Sequence, residues 1–186
     1  MTQTRVDNAH DVVAFLKAQH EQIKQLFSQV ASATGSEREE RFVELRRLLA
    51  VHETAEEEIV HPRAKQEIAG GEYIVSARLE EENEAKQALT ELEKIDVETS
   101  EFEVKFEELR KDVLAHAEAE ETQEFTKLEQ ELDSDQLEKM RNAVKLAESM
   151  APTRPHPGVE SKAANLTAGP FAMMLDRARD AISGKG

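Results

Sequence analysis

The stretch FVELRRLLAVHETAEEE, residues 42–58, has the spacing of one helix face but not its usual chemistry. Phe42, Leu45 and Leu49 recur at three- and four-residue intervals, and the same face then reaches His52 and Glu56. At roughly 3.6 residues per turn, these five side chains form a single stripe, the one a helix buries. An imidazole and a carboxylate therefore stand where two more core residues belong. An ionised carboxylate removed from water is costly unless a cation or hydrogen bonds compensate it.

The pattern occurs twice. Phe106, Leu109, Val113, His116 and Glu120 repeat the offsets of Phe42, Leu45, Leu49, His52 and Glu56, and both copies run on into further acid. Two such helices present two imidazoles and two carboxylates to one interior. That donor mixture suits iron, zinc or manganese. His20 adds a fifth donor, because it lies in the stripe Val13, Leu16, Ile23, Phe27 and Val30. Laying QHEQIKQLF (19–27) over EENEAKQAL (81–89) sets His20 on Glu82, Ile23 on Ala85 and Phe27 on Leu89. Pseudo-repeat symmetry thus nominates Glu82 as the sixth donor, with Glu81 and Asn83 as the neighbouring alternatives. Three imidazoles and three carboxylates exceed what a four-coordinate structural zinc takes. They suit two ions about 3.5–4 Å apart, with Glu56 and Glu120 bridging.

The rest of the chain supplies the scaffold. Before residue 150 the only proline is Pro62, and Ala, Glu, Leu and Lys abound. Helices are expected over about 9–33, 37–60, 72–94, 101–131 and 135–149. Pro62 marks the end of the second, and AGGEY (69–73) is a turn. Ser36, Ser100 with Glu103, and Asp133 or Ser134 are the expected caps. Long helices with short connections favour an all-α, up-down-up-down four-helix bundle over 1–149. The segment 150–186 holds four of the five prolines and reads as a linker, closed by a short amphipathic helix at about 171–182 that packs on the bundle.

Composition narrows the partners. A formal net charge of −15, from 39 acidic and 24 basic residues, argues against nucleic acid and against anionic membranes. The chain has no cysteine, which excludes disulfides, thiolate metal sites and cysteine nucleophiles. Neither a secretory signal nor a membrane-length apolar run is evident, so the expected location is the cytoplasm. The expected state is a monomer or a weak homo-oligomer.

LLAVHETAEEEIVHP and VLAHAEAEETQEF resemble the two half-motifs of the hemerythrin-like HHE cation-binding family, and LKAQHEQIKQLF resembles its opening histidine segment. The resemblance covers roughly residues 9–131. It implies a four-helix bundle around two non-haem irons with oxo or hydroxo and carboxylate bridges. By position, His20, His52, Glu56, His116 and Glu120 match the family's ligands. Glu82 departs from it, because the family usually carries histidine there. The departure moves the site from plain oxygen carriage toward carboxylate-richer di-iron oxidases. The family binds dioxygen, senses oxygen, redox state or nitric oxide, or decomposes peroxide. The expected function is therefore binding of O2 or peroxide, with catalase-like peroxide decomposition as the candidate turnover. The alternatives are a sensor without turnover and a purely structural helical module.

The remaining polar residues have plainer expectations. His61 lies nine residues beyond His52, on another helical phase, and reads as structural or surface, or as a group lining or supporting the site. Tyr73, the only tyrosine, reads as packing at a helix start. His10 reads as surface and His156 as loop, while Glu57 and Glu121 read as solvated or ion-paired helix faces.

Overall fold

The computed structural model describes residues 9–151. Its elements, in order, are α1 (Val12–Ser32), α2 (Gly35–Ala55), a first π-turn (Glu56–Val60), α3 (His61–Glu67) and α4 (Gly71–Leu92). Then come α5 (Ser100–Ala119), a second π-turn (Glu120–Phe125), α6 (Thr126–Glu131) and α7 (Ser134–Met150). Each π-turn joins its flanking helices without a break, so four long rods form the bundle. The fifth, α7, packs against α1 and α2. The proposed helix at 171–182 and the loop reading of His156 lie outside the described residues.

Local chemistry sets the ends. Asp11 begins α1 by accepting from the Ala14 amide at 2.8 Å, and Asp133 forms a reciprocal capping box with Gln136 at the start of α7. Thr99, one residue before the expected Ser100, caps α5 by accepting from the Phe102 amide. Ser36 caps nothing, since α2 already begins at Gly35 and Thr34 is its N-cap. Between α3 and α4, Gly70 takes the left-handed conformation at φ 75°. A Cβ on Gly71 would meet the Ala64 carbonyl oxygen at 2.3 Å, so only glycine lets α4 start this close to α3.

Pro62 does not end the second helix. It occupies the first turn of α3, and the rod continues to Glu67. The wider π-turn ahead of it relieves the ring's conflict with the preceding carbonyls.

Two apolar layers fill the bundle. One contains Phe27, Phe42, Leu45, Leu49, Leu89, Phe102, Phe106 and Leu109. The other contains Leu16, Ile59, Val75, Phe125, Leu128, Met140 and Val144. Along every rod the chain passes from one layer to the other through a polar residue. In α1 the order is Leu16, His20, Ile23, and in α2 it is Leu49, then His52 and Glu56, then Ile59. In α4 it is Val75, Glu82, Leu89, and in α5 it is Val113, then His116 and Glu120, then Phe125. The polar residues thus form one cross-section between two aromatic- and leucine-rich plugs. Phe102 and Phe106 stack at 5.4 Å and Phe42 meets Phe102 edge-on at 5.2 Å, which stiffens one plug.

Candidate metal centre

Four rods supply the cross-section. His20, His52, Glu56 and Glu120 bring one ligand atom each within 4.8 Å of one another, and Glu56, Glu82, His116 and Glu120 do the same. All six residues proposed from the sequence belong to these two groups. Glu56 and Glu120 belong to both, as bridging carboxylates would. Of the three candidates on α4, Glu82 is the one brought into the cluster, at 1% exposure. Glu81 instead stands behind His116, and Asn83 is in neither group.

The three histidines are aimed. His20 Nδ1 donates to Glu121 Oε1 at 2.8 Å, His52 Nδ1 to Gln19 Oε1 at 2.9 Å, and His116 Nδ1 to Glu81 Oε2 at 2.8 Å. Gln19 presents its oxygen to His52 because its amide nitrogen donates to Glu148 at 2.6 Å. Each outer contact fixes one ring nitrogen and turns Nε2 inward, the arrangement that orients metal-ligating histidine. The inward atoms crowd. His20 Nε2 is 3.1 Å from His52 Nε2 and 3.3 Å from Glu120 Oε2. His52 Nε2 is 3.3 Å from Glu56 Oε2, and His116 Nε2 is 3.4 Å from Glu120 Oε1.

Several of these atoms have no hydrogen-bond partner although they are buried. They include both oxygens of Glu56, both of Glu120, Glu82 Oε2 and His116 Nε2. Native interiors leave few such atoms, and each one is costly. Clustered here, with carboxylate and imidazole donors only, they fit two cations of the iron, manganese or zinc kind.

Electrostatics follow the same geometry. Burial, with His20 alongside, lowers His52 to about 3, so it stays a neutral donor. Burial also pushes Glu56 well above the ordinary carboxylate range, and Glu120 beside it adds to the rise. Burial alone would raise Glu120 too, but His116 and His20 more than offset it and hold it well below. His116 is driven down by burial and up, further, by Glu120 and Glu81, ending well above the usual imidazole value. Without cations, then, protons on His20 and His116 neutralise Glu120. Cations would displace them.

Of the options open for His61, the structure excludes the surface and supports the structural and site-supporting ones. His61 is 1% exposed, and its ring lies between two carboxylates, with Nε2 2.6 Å from Glu82 Oε1 and Nδ1 2.9 Å from Glu124 Oε1. In a regular helix, nine residues beyond His52 correspond to a rotation of about 180°. The π-turn at Glu56–Val60 adds a residue to the turn, removes about one 100° step and swings His61 inward. Glu124, also fully buried, is brought in by the second π-turn. His61, Glu120 and Glu124 make a third close group.

Other polar readings divide. Tyr73 is 83% exposed and packs nothing, because it lies two residues, about 200°, from the buried Val75, and Ile74 takes the inward position beside it. His10 is exposed, as expected. Glu57 pairs with the buried ammonium of Lys86, and the half-buried Glu121 holds His20, so both are ion-paired and support the site. Gln19 and Glu124 were not anticipated, and Glu81, expected as an alternative to Glu82, instead holds His116 from behind. Their signal was adjacency: Gln19 precedes His20 and Glu81 precedes Glu82.

Around the cluster are three spaces. A cleft of about 220 Å³ is bordered by Glu53, Glu81, Glu82, Glu84, Asp112 and His116 among others. A second, of about 290 Å³, touches Glu57, His61, Pro62 and Lys65. Between His20, His52, His116, Ile23, Leu49 and Val113 lies an internal void of about 10 Å³, close to the room one water molecule needs.

Comparison with known proteins gives matching results. The family described as Hemerythrin HHE cation binding domain matches residues 11–128. A DNA nickase from Nostoc sp. is 27% identical over 143 residues, which are 76% of this chain and 39% of that protein. The chain therefore spans well under half of that relative. No solved structure matches the chain.

Proposed function

The chain belongs to the hemerythrin HHE cation-binding domain family, and from that membership we propose that it is a non-haem di-iron protein binding O2 or peroxide. The supporting observation is the pair of four-donor groups that share Glu56 and Glu120 inside one bundle cross-section. Iron there would supply reversible one-electron redox chemistry and an open position for a small ligand. The residues do the rest. His20, His52 and His116 would hold the ions through Nε2, each ring locked from behind by Glu121, Gln19 or Glu81. Glu82 would add negative charge on one side only, next to His61 and Lys86. The void beside the three histidines has room for no more than about one water-sized molecule, which favours small ligands over larger ones. Ile23, Leu49 and Val113 would keep bulk water out of it.

We favour turnover of peroxide over simple carriage because Glu82 makes the donor set richer in carboxylate. Stopped-flow spectroscopy on iron-loaded protein tests this. Rapid peroxide consumption supports turnover, and a long-lived oxygen adduct without consumption supports a sensor or carrier.

The name of the Nostoc relative motivates a second reading, metal-assisted phosphodiester hydrolysis, for which a two-cation site is chemically suited. The net charge of −15 repels DNA and weighs against it. A supercoiled-plasmid nicking assay with the metal-loaded chain separates the two.

A further inference from the structure

Resting on the dinuclear reading, we propose that the acidic cleft between α4 and α5 is the entry route by which divalent cations reach the centre, with Glu53 as its inner binding station. The cleft's exposed lip carries Glu84 and Asp112, with half-buried Glu81 beside them. Its floor is Glu53, Glu82 and His116, two of which belong to the metal-holding groups. Carboxylates thus run from solvent to the centre without interruption.

Glu53 gives the cleft a function beyond surface acidity. It is 3% exposed, and its Oε2 is buried without any hydrogen-bond partner. Its nearest positive charge is the Lys86 ammonium, and an arriving cation would share this carboxylate with Lys86 and displace its proton. Glu53, Val113 and His116 border both the cleft and the internal void, so the two spaces meet at this carboxylate. Neither repeat symmetry nor the paired motif accounts for it: the residue at the matching place in the second copy is Ala117.

The other opening is less suited to cations. Lys65 lines it, and its ammonium repels an incoming cation. A cleft lined by charge of one sign raises the local concentration of counter-ions and speeds their capture, by about tenfold or more in strong cases.

The test is the rate at which the stripped 186-residue chain takes up Co(II), followed by its visible absorption in a stopped-flow instrument. The double variant E84Q/D112N changes only exposed residues and leaves every proposed ligand in place. It should load about threefold or more slowly at low ionic strength, with the gap closing as salt is added, and reach the same final two ions per chain. E53Q should slow loading even at high salt. E39Q, on a remote exposed face, and K65E, at the second opening, should load like the parent chain. Unchanged rates in E84Q/D112N and E53Q would overturn the proposal, as would faster loading in K65E. A parent chain that takes up no cobalt would instead sink the dinuclear reading beneath it.

Discussion

His20 Nε2 lies 3.1 Å from His52 Nε2 in the bundle interior, while the opposite nitrogen of each ring is committed to Glu121 or Gln19. Two inward lone pairs at that distance repel unless a positive charge lies between or beside them. On the protein groups alone a proton fills that role. Burial lowers His20, but Glu120 and Glu121 more than reverse it, whereas His52 is held near 3. One ring is therefore protonated and the other is not.

Metal affinity should consequently depend on pH. Binding must displace protons from His20, His116 and Glu56, all of which are raised. Lowering pH from 8 to 6 is expected to weaken binding and to release more protons per ion bound. Calorimetric titration in buffers of different ionisation enthalpy measures that release.

The outer contacts should matter almost as much as the ligands. Gln19→Ala frees His52 Nδ1, and Glu121→Gln weakens the hold on His20. Each is expected to lower metal affinity by about 10- to 100-fold while leaving the helical signal intact. Competition against a chelator of known strength gives the number.

Glu56 should show a conflict between stability and binding. Both of its oxygens are buried and unpartnered. Glu56→Gln replaces a carboxyl that the stripped protein must bury protonated, well above its ordinary range, so that form should melt higher, by a few degrees for about 1–2 kcal/mol. The same variant should lose the stabilisation that metal gives the parent chain. Thermal melts with and without added metal read both effects.

Stripped protein should also lose stability as pH rises from about 6.5 to 8.5. Burial lifts Glu53 to about 8 and both Glu57 and Glu148 to about 7, from an ordinary value near 4.5. A carboxyl raised on folding contributes stability below its unfolded value, and that contribution is lost as pH passes its folded value. The raised imidazoles His20, His61 and His116 act in the same direction over this window. Cations should flatten the dependence by compensating the deprotonated carboxylates. Urea denaturation at several pH values, with and without metal, tests the sign.

His61→Ala leaves Glu82 Oε1 and Glu124 Oε1 without their shared partner inside the core. A loss of about 3–5 kcal/mol is expected, and most of it should be recovered in His61→Ala/Glu124→Leu, where one orphaned carboxylate is also gone. Denaturation of the two variants and the parent chain supplies the comparison.

The bundle and the convergence of six polar side chains on one cross-section were legible because helix periodicity, the doubled Phe-to-Glu pattern and the buried cost of charge all pointed to the same face. His61 and Glu124 were not, because phase arithmetic assumes a uniform helix. Two π-turns, at Glu56–Val60 and Glu120–Phe125, break that assumption just past each H-x3-E pair. Pro62 misled for the same reason: it follows a π-turn and does not stop the rod. Tyr73 failed on phase: it stands about 200° from Val75 and so faces out of α4, which the expected stripe of Val75 and Leu79 already implied.

The most direct test is elemental analysis with absorption spectroscopy on the chain purified from iron-replete cells, alongside His116→Ala. The account predicts about two irons per parent chain with near-ultraviolet bands of a bridged ferric pair, and a marked loss of iron in the variant. A parent chain that carries no metal and takes up none when iron is offered would contradict it, as would unchanged iron content in His116→Ala.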